Sequence, residues 1–407
     1  MAFTLFWVSV AIILYHHLVY PLLLHSFAEA KRRQTTIRVG SLAPLAAAEP
    51  PSLTVIVPAH NEAAVIASKI INLEELTYPR DRLRFVIAID GCTDETRRIA
   101  ESAIAATPSF RNFELAEYVS NVGKVAVLNE QIAKASSEIV ALSDASASLG
   151  HDAAAAAARH FADARVGVVC GTYSVSGSGN DGERTYWRFQ TRVKADEGAL
   201  AAPLGAHGAF YLFRRGLWSP LPADTINDDF VLPMKIVLEG FRAVYDETII
   251  AAELERAPMK QDFRRRVRIG AGNLQQVVRL ARLGHPRRGW LAFIFLSGKG
   301  LRATLPFFLI VAFSANVALA LSGQVMYQVI LAAQMALIAL AAVGASRAKV
   351  LLPKPLDVVC YLIHGHAASM VGALLLLAGQ KQQAWIFSLA GKSNTRQTTR
   401  GASVPRR

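Results

Sequence analysis

The sequence predicts an α/β domain with a mixed sheet and helices on both faces, joined to α-helical transmembrane segments. Between residues 51 and 285, short apolar runs rich in β-branched residues alternate with segments of helical periodicity. Two of these runs end on an acid, Asp90 and Asp144. Long apolar stretches lie on both sides of this region, and 52% of the 407 residues are hydrophobic. The chain is therefore too apolar to be a soluble domain alone.

Residues 1–27 are predicted to form an N-terminal transmembrane anchor. Within them, the stretch 3–24 contains no acid, lysine or arginine, and its length suits a membrane span. A cleaved signal peptide is the alternative, but no Lys or Arg precedes this apolar run. A basic linker follows over 28–50 and carries the sequence KRR at 31–33. By the positive-inside rule, this charge places the following domain in the cytoplasm. We expect an integral protein of the inner membrane.

The region 304–380 is predicted to contain C-terminal transmembrane helices. Three apolar stretches of span length lie at 304–322, 325–344 and 357–378. The preceding residues 286–303 mix arginine, tryptophan and apolar side chains, which predicts an interfacial helix in the membrane plane. A basic tail occupies 381–407. Four spans would place this tail outside, so either the tail breaks the charge rule or the last apolar stretch does not cross.

The net charge of +13 indicates an anionic partner. This positive charge is compatible with three partners: nucleic acid, an anionic membrane face and a polyphosphate ligand. No nucleic acid is expected, because the arginine cluster lacks interleaved aromatic residues. The lipid bilayer is an expected partner instead. The three cysteines lie far apart and no CxxC or Cys/His metal spacing occurs, so neither a disulfide framework nor a zinc site is indicated.

Two acids follow predicted strands directly. The run Phe85–Ile89 ends on Asp90 and Gly91, and a second run ends on Ser143 and Asp144. The carboxyl ends of strands in open α/β sheets form the usual ligand crevice. Two carboxylates there could hold a hard divalent cation and, through it, a diphosphate. The alternative for Asp90 is an ordinary strand-to-helix turn with a capping acid.

Further candidates come later in the chain. Lys124 follows a glycine and is placed either to meet phosphate or to be a solvated lysine at a helix start. The small-residue turn Gly205–Ala209 allows a flat ligand such as a sugar ring to approach, or is simply a tight turn. Asp228 and Asp229 begin a helix, where they could simply be capping acids favoured by the helix dipole. If the pair is partly buried, the repulsion between the two acids would raise the pKa of one of them and make it a usable general base. The arginine run 264–268 is typical of a membrane-surface or solvated face.

In this order and spacing, the segments resemble the family 2 inverting glycosyltransferases. The resemblance is closer to the membrane-embedded branch that contains cellulose synthase, hyaluronan synthase and poly-N-acetylglucosamine synthase. It covers about 51–285 and, more weakly, 286–385. The matching segments are VIVPAHNE at 55–62, IDGCTDET at 89–96, VGKVAVLN at 122–129, SDAS at 143–146, NDDF at 227–230 and QVVR at 276–279.

The resemblance implies a GT-A fold, a nucleoside-diphosphate sugar donor, and Mg²⁺ or Mn²⁺ as cofactor. Asp144 matches the first acid of the DxD motif, which binds the cation with the diphosphate. Asp229, beside Asp228, matches the general base that deprotonates the acceptor hydroxyl. The residues expected to bind substrate are His60, Asn61, Glu62, Asp90, Lys124, Ser146, His207, Gln276 and Arg279, with Arg279 meeting the diphosphate.

Two positions depart from the family pattern. Ser146 replaces the second acid of DxD, which weakens the expected metal site, and Leu280 replaces the tryptophan of QxxRW. We therefore expect a membrane-bound transferase that adds sugar to a lipid-linked or polysaccharide acceptor in exopolysaccharide or cell-envelope glycan synthesis, with single transfer slightly favoured. A catalytically silent homologue acting as scaffold or secretion partner is the alternative, motivated by Ser146.

Overall fold

The computed structural model describes residues 1–39, 49–175, 181–253, 259–345 and 354–380. One mixed sheet organises the α/β domain. Its eight described strands, in the spatial order β3-β2-β1-β4-β7-β6-β8-β5, are β1 (Leu53–Ala59), β2 (Leu83–Asp90), β3 (Phe113–Tyr118), β4 (Ile139–Leu142), β5 (Ala147–Leu149), β6 (Val166–Val175), β7 (Tyr211–Arg214) and β8 (Arg242–Glu253).

The first half of the sheet is parallel. β1 pairs in parallel with β2 and β4, and β2 pairs in parallel with β3. β7 then runs antiparallel to both of its neighbours, β4 and β6. β8 is parallel to β6, and β5 is antiparallel to β8. The predicted mixed sheet is confirmed, and its parallel half brings the ends of β1, β2 and β4 to one edge.

The helices cover both faces of the sheet and extend from it. They are α1 (Ala2–Leu14), α2 (Tyr20–Val39), α3 (Ile66–Glu74), α4 (Thr96–Ala105), α5 (Lys124–Lys134), α6 (Ala153–Arg159), α7 (Asp181–Leu200), α8 (Asp228–Leu238), α9 (Met259–Arg279), α10 (Trp290–Ile294), α11 (Leu301–Leu321), α12 (Val325–Ala345) and α13 (Lys354–Leu377). Short π-helical segments join α1 to α2 (Tyr15–Val19) and α10 to α11 (Phe295–Gly300).

The core lies on both faces of the sheet. Along β1, Val55 and Val57 belong to one buried apolar cluster and Ile56 to the other. Along β4, Ala141 and Val140 divide in the same way. Successive strand residues point to opposite faces, so a strand buried on both sides reads as a continuous apolar run. This is why the strands that end at the candidate site were visible in the sequence.

Within the described residues, four helices are long and apolar enough to cross a membrane. They are Ala2–Gln34, Trp290–Leu321, Val325–Ala342 and Val359–Leu377. The first extends past residue 27, so the start of the expected linker is helical. The expected interfacial helix also differs, because α10 continues through the π-helical segment into α11 as one long helix. Residues 381–407, the basic tail, lie outside the described residues.

Helix α13 packs closely against α9 of the α/β domain. A Cβ on Gly372 would lie 2.1 Å from the backbone oxygen of Val267, and one on Gly270 would lie 2.6 Å from the Cα of Ser369. Only glycine permits backbones this close. The last apolar segment therefore fixes the position and rotation of α9, whose arginines face the candidate site.

Candidate active site

Asp90 organises the loop that leads into α5. It is 4% exposed, and its carboxylate accepts hydrogen bonds from the backbone N–H groups of Val122 at 2.7 Å and Gly123 at 3.0 Å. The ring Nδ1 of His60 donates to the backbone oxygen of Asp90 at 2.6 Å. His60 and Asp90 therefore lie together at the carboxyl edge, where contact with a nucleotide stays a prediction.

Asn61 and Glu62 join the end of β1 to the turn after β2. Asn61 has a φ of 56°, a left-handed conformation that asparagine tolerates. Its side-chain oxygen accepts from the backbone N–H of Thr93 at 2.9 Å, and the N–H of Glu62 donates to Thr96 Oγ1 at 2.8 Å. The three predicted residues of the first nucleotide loop are thus brought to the same edge as Asp90.

Lys124 lies where the acid-bearing segments meet. Its Nζ is 3.1 Å from Asp144 Oδ1 and 3.3 Å from Asp228 Oδ2. We call these three residues the Lys124 cluster. Burial opposes the lysine charge, but the acids outweigh it and raise the pKa of Lys124. Burial likewise opposes the Asp144 charge, yet Lys124 outweighs it and the pKa of Asp144 is lowered. The lysine is ion-paired rather than solvated.

The other oxygen of Asp144 faces a position that has no side chain. A Cβ on Gly208 would lie 3.0 Å from Asp144 Oδ2, so the glycine keeps this side of the carboxylate open. Near Asp144, Ser146 Oγ lies 3.4 Å from Glu253 Oε1. Glu253 reaches this loop because it pairs with Ala147 across β5 and β8.

These oxygen donors suit Mg²⁺ or Mn²⁺ in kind. In the described part of the chain, however, no three His, Cys, Asp or Glu side chains are grouped to hold a metal ion. A cation at Asp144 fits the donor chemistry only if substrate phosphate and water complete its coordination.

A buried lysine supports the Asp144 loop from inside the domain. Lys69 of α3 is 2% exposed, and its Nζ donates to Ser143 Oγ at 2.7 Å and to the backbone oxygen of Ala147 at 2.6 Å. Burial lowers the pKa of Lys69 to about 7, and the Asp144 charge acts in the opposite direction. Lys69 thus fixes the chain on both sides of Asp144.

Asp229 has a different electrostatic setting from Asp144. Its Oδ2 accepts a hydrogen bond from the backbone N–H of Gly208 at 3.2 Å. The backbone oxygen of Asp229 accepts one from the backbone N–H of Ala206 at 2.8 Å. Burial and, next, the charge of Asp228 raise the pKa of Asp229 to about 6. A carboxylate that titrates near neutrality is suited to take a proton from a hydroxyl group.

His207 belongs to an aromatic group beside Asp229. Its ring stacks on Tyr173, with centroids 3.8 Å apart and planes inclined by 10°. Trp187 stands edge-on to both rings, with centroids 5.3 Å from His207 and 4.6 Å from Tyr173. Burial, followed by the Arg265 charge, lowers the pKa of His207 to about 3, so its imidazole is neutral at pH 7.

Gln276 and Arg279 support the loop ahead of α8. Gln276 Oε1 accepts from Asn227 Nδ2 at 3.1 Å. Arg279 donates to Thr225 Oγ1 at 2.9 Å and to Asp224 Oδ1 at 2.7 Å. Arg279 is therefore paired with Asp224 rather than with the Lys124 cluster, and its contact with a diphosphate stays a prediction.

Two other arginines of α9 face the acids. Arg265 Nη1 lies 3.7 Å from Glu253 Oε2. Burial raises the pKa of Asp144, whereas Lys124 and, to a smaller extent, Arg265 lower it. Burial and then Arg265 lower the pKa of Arg268, with the acids of the Lys124 cluster acting in the opposite direction. Part of the arginine run 264–268 is thus turned toward the site, which corrects its interpretation as a solvated or membrane-surface face.

A cavity of about 160 Å³ lies between the end of the sheet, α7, α9 and the helix that leads into α11. Its charged lining residues are Asp229, Lys194, Lys299 and Arg302, and we call it the basic cavity. The aromatic group around His207 also lines it. Phosphate on the Lys124 side and a hydroxyl group in the cavity would approach the same turn from two directions.

Several of these residues were not identified from the sequence. Tyr173, Trp187, Glu253, Lys194 and Lys299 stand singly in their segments, and no local pattern distinguishes them from surface or core residues. The arginine run was the exception, because its density of charge in an amphipathic helix was a signal that could have been assigned to the site.

Residues 54–219 match the sequence profile of glycosyl transferase family 2. This region is a family 2 glycosyl transferase domain. It supplies the Asp90 edge, Lys124, Asp144 and the His207 turn, whereas α8 and α9 lie beyond the matched residues. The resemblance inferred from the six segments is confirmed at the level of this family.

The chain is similar in structure to a mannosyltransferase of Pyrobaculum calidifontis, solved in complex with GDP-Man and Mn²⁺. The TM-score is 0.71 at 25% identity, over 92% of this chain and 99% of the other. With the mixed sheet described above, this similarity confirms the GT-A fold of the glycosyl transferase domain.

Two curated relatives match shorter regions. An N-acetylglucosaminyltransferase of Rhizobium leguminosarum bv. viciae is 24% identical over 254 residues, 58% of this chain and 59% of that protein. A β-monoglucosyldiacylglycerol synthase of Synechocystis sp. is 31% identical over 119 residues, 29% of this chain and 25% of that protein. The chain thus spans less than two thirds of the length of either relative.

Proposed function

We propose that the chain is a membrane-bound inverting glycosyltransferase that moves a sugar from a nucleoside-diphosphate sugar to a lipid-linked or polysaccharide acceptor. The observation that carries this proposal is the position of Asp229. Its carboxyl group, with a pKa of about 6, lines a cavity on one side and adjoins the Lys124 cluster on the other. A base and a phosphate-binding group are the two parts that inverting transfer requires.

The reaction is a single displacement at the anomeric carbon. Asp229 takes the proton of the acceptor hydroxyl as the acceptor oxygen forms its bond to that carbon. The bond from the carbon to the diphosphate oxygen breaks, and its electron pair leaves with the nucleoside diphosphate. The proton then passes from Asp229 to solvent, so the products are the glycosylated acceptor, the nucleoside diphosphate and one proton.

The donor occupies the carboxyl edge of the parallel strands in this proposal. His60, Asn61, Glu62 and Asp90 border the nucleotide, and the cationic groups of Lys124, Arg265 and Arg268 stabilise the charge of the leaving diphosphate. These assignments are supported by the shared edge and by the pKa shifts between the arginines and the acids. The similarity to a mannosyltransferase solved with GDP-Man supports a nucleotide-activated hexose as the donor.

A divalent cation, Mg²⁺ or Mn²⁺, would be held by Asp144 with help from Ser146 and Glu253. Such a cation supplies Lewis-acid neutralisation of the diphosphate charge. Glu253 lies beside Ser146 and offers the carboxylate that Ser146 lacks. The Mn²⁺ present in the similar mannosyltransferase supports this assignment.

We place the glycosyl transferase domain on the cytoplasmic side of the inner membrane. The basic residues that follow the first span contact this domain directly. Arg32 Nη1 lies 2.7 Å from Asp196 Oδ1, and Lys31 Nζ donates to the backbone oxygen of Leu200 at 2.5 Å. The end of the span that carries the positive charge is therefore also the end that holds the domain, which the positive-inside rule assigns to the cytoplasm.

The decisive experiment is release of nucleoside diphosphate by the full chain in lipid nanodiscs. A panel of nucleotide sugars is tested with Mg²⁺ or Mn²⁺, with and without a lipid extract. Turnover of one donor that depends on the extract is the expected result, and it would support a lipid-linked acceptor. Donor binding without turnover under every condition would contradict the proposal and favour the silent homologue suggested by Ser146.

A further inference from the structure

We propose, given the transferase function above, that the acceptor is a membrane lipid whose polar end carries a phosphate group within one sugar length of the hydroxyl that is glycosylated. The proposal rests on the charge of the basic cavity and on the helices that form it. It narrows the acceptor class and excludes a neutral glycolipid or a polysaccharide chain end as the preferred acceptor.

The described wall of the cavity carries three basic side chains and one acidic side chain. Lys194 Nζ contacts only backbone carbonyl groups in the described residues, those of Gly205 at 2.7 Å and Leu204 at 3.2 Å. Lys299 Nζ lies over the ring of Phe230, 5.2 Å from its centroid. Among the residues that the structure describes, neither lysine has a carboxylate oxygen within 4.0 Å. Arg302 adds a third cation to the same wall.

Among the described residues, the nearest acids are not ion-paired with the two lysines. Glu197 is 4% exposed and accepts from the backbone N–H of Leu204 at 2.9 Å. Burial raises the pKa of Glu197, and the charges of Lys194 and Lys299 act in the opposite direction. Asp229 is the remaining carboxyl group on the wall, and it must accept the acceptor proton. Like charges gathered in a partly buried cavity are unfavourable unless an anion joins them, and phosphate is the anion that lysine and arginine commonly bind.

The cations are separate from the donor phosphate site. The cavity lining includes neither Lys124, Asp144 nor Arg268. Asp229 and the His207 turn stand between the two regions, so an anion in the cavity belongs to the acceptor side. The volume of about 160 Å³ is well below that of pockets for drug-sized ligands, and a small headgroup suits it. We therefore place the phosphate and the attacking hydroxyl close together.

The walls of the cavity indicate that this anion is on a lipid. Lys299 and Arg302 belong to Trp290–Leu321, one of the helices able to cross a membrane, whereas Lys194 and Asp229 belong to the α/β domain. Basic pockets between spanning helices near the cytoplasmic face are typical sites for anionic headgroups. Two lipid classes share the required chemistry: glycerophospholipids with a polyol headgroup and polyprenyl diphosphate-linked sugars.

The test compares acceptors in vesicles of equal surface charge. Phosphatidylcholine vesicles receive phosphatidylglycerol, phosphatidylinositol, a polyprenyl diphosphate-linked sugar, diacylglycerol or a neutral glycolipid, and the phosphatidylserine fraction is adjusted so that the total negative charge is the same in each. Full-length protein and the nucleotide sugar that turns over in the lipid extract are added, and nucleoside diphosphate release is measured. We expect turnover with one of the first three lipids, which identifies the source of the phosphate, and at least tenfold less with the neutral lipids.

Variants of Lys299 separate this inference from the transferase function. Lys299→Gln should raise the acceptor KM about tenfold or more, as expected for loss of a charge-assisted contact. The donor Kd should not change, and Lys299→Arg should restore most of the acceptor affinity. Arg282→Gln, an exposed arginine outside the cavity, is the matched control and should leave KM unchanged.

Equal turnover with neutral acceptors, or an unchanged acceptor KM in Lys299→Gln, would overturn this inference and leave the transferase proposal intact. A raised donor Kd in Lys299→Gln would also overturn it, because the cavity would then bind the donor. Failure of every lipid and donor to release nucleoside diphosphate would overturn both proposals together.

Discussion

The Lys124 cluster and the basic cavity differ in whether their lysines are ion-paired with carboxylates. In the cluster, one lysine is ion-paired with two carboxylates, at 3.1 and 3.3 Å. In the cavity, Lys194 and Lys299 have no carboxylate oxygen within 4.0 Å among the described residues. The two regions meet at the turn of His207 and Gly208, whose backbone N–H binds Asp229.

This difference indicates how rigid each region is before ligands bind. Ion pairs within the cluster hold Asp144 and Asp228 together, which would preorganise the proposed donor side. On the proposed acceptor side, Lys194 and Lys299 would be paired once an anion binds. Asp229, the proposed base, lies at the boundary, so proton transfer would depend on both regions being occupied.

The largest effect is expected from removing the carboxylate of Asp229, the proposed base, which lies between the two regions. Asp229→Asn should lower the turnover number by about 10²–10⁴-fold, the usual contribution of a general base. Donor affinity should stay within about twofold, because the Lys124 cluster remains. Turnover is followed by nucleoside diphosphate release and donor binding by calorimetry. Wild-type turnover in this variant would rule out Asp229 as the base.

Breaking the cluster itself should affect stability. Lys124→Met leaves Asp144 and Asp228 without their common partner, and we expect a loss on the order of 2–3 kcal/mol, less than for a fully buried pair. Lys134→Met on the same helix removes an exposed pair with Glu130 and should cost under about 0.5 kcal/mol. Thermal unfolding of both variants in the same detergent measures the difference. Equal melting temperatures would show that the cluster is not structural.

The next prediction tests whether Glu253 contributes to the proposed metal site. Glu253→Gln should weaken Mn²⁺ binding by about tenfold, as typical of lost metal-site partners. Glu247→Gln, on the same strand, is the matched control. Mn²⁺ titration followed by electron paramagnetic resonance, with nucleoside diphosphate present, reads binding without turnover. Equal Mn²⁺ affinity in the two variants would show that Glu253 does not contribute to the metal site.

The smallest effect concerns the pH dependence of turnover. Asp229 must be deprotonated to act as a base, so the rate should rise with pH through about 6 and then level off. Asp228→Asn removes the second cause of the raised pKa but keeps the first, burial. The midpoint of the rise should therefore move to lower pH while staying above that of an ordinary aspartate. A midpoint that does not move would show that Asp228 is not charged beside Asp229.

The residues at the carboxyl edge of the sheet are easier to find from the sequence than those of the basic cavity, for a physical reason. Asp90 and Asp144 follow apolar strands directly, so the rule that ligands bind at strand ends applies to them locally. Glu253 could not be found in this way, because only the pairing of β5 with β8 brings it to Ser146.

Arg265 and Arg268, the two arginines of α9 that face the acids, illustrate the same limit. The charge run was visible, but which of its members face the acids depends on how α13 sets the rotation of α9. Arg279 was expected at the diphosphate from its segment, whereas the structure pairs it with Asp224. Local patterns specify strand ends, while the face that a helix turns to a site depends on tertiary packing.

The helix Trp290–Leu321 has a consequence for how this protein would encounter its acceptor. Because Lys299 and Arg302 are carried by a helix able to span the bilayer, the proposed lipid acceptor would reach them by lateral diffusion in two dimensions. The quantity that governs saturation is then the mole fraction of acceptor in the membrane. Diluting the vesicles with inert lipid at constant total acceptor would slow the reaction, whereas diluting the whole suspension with buffer would leave the saturation of each enzyme unchanged.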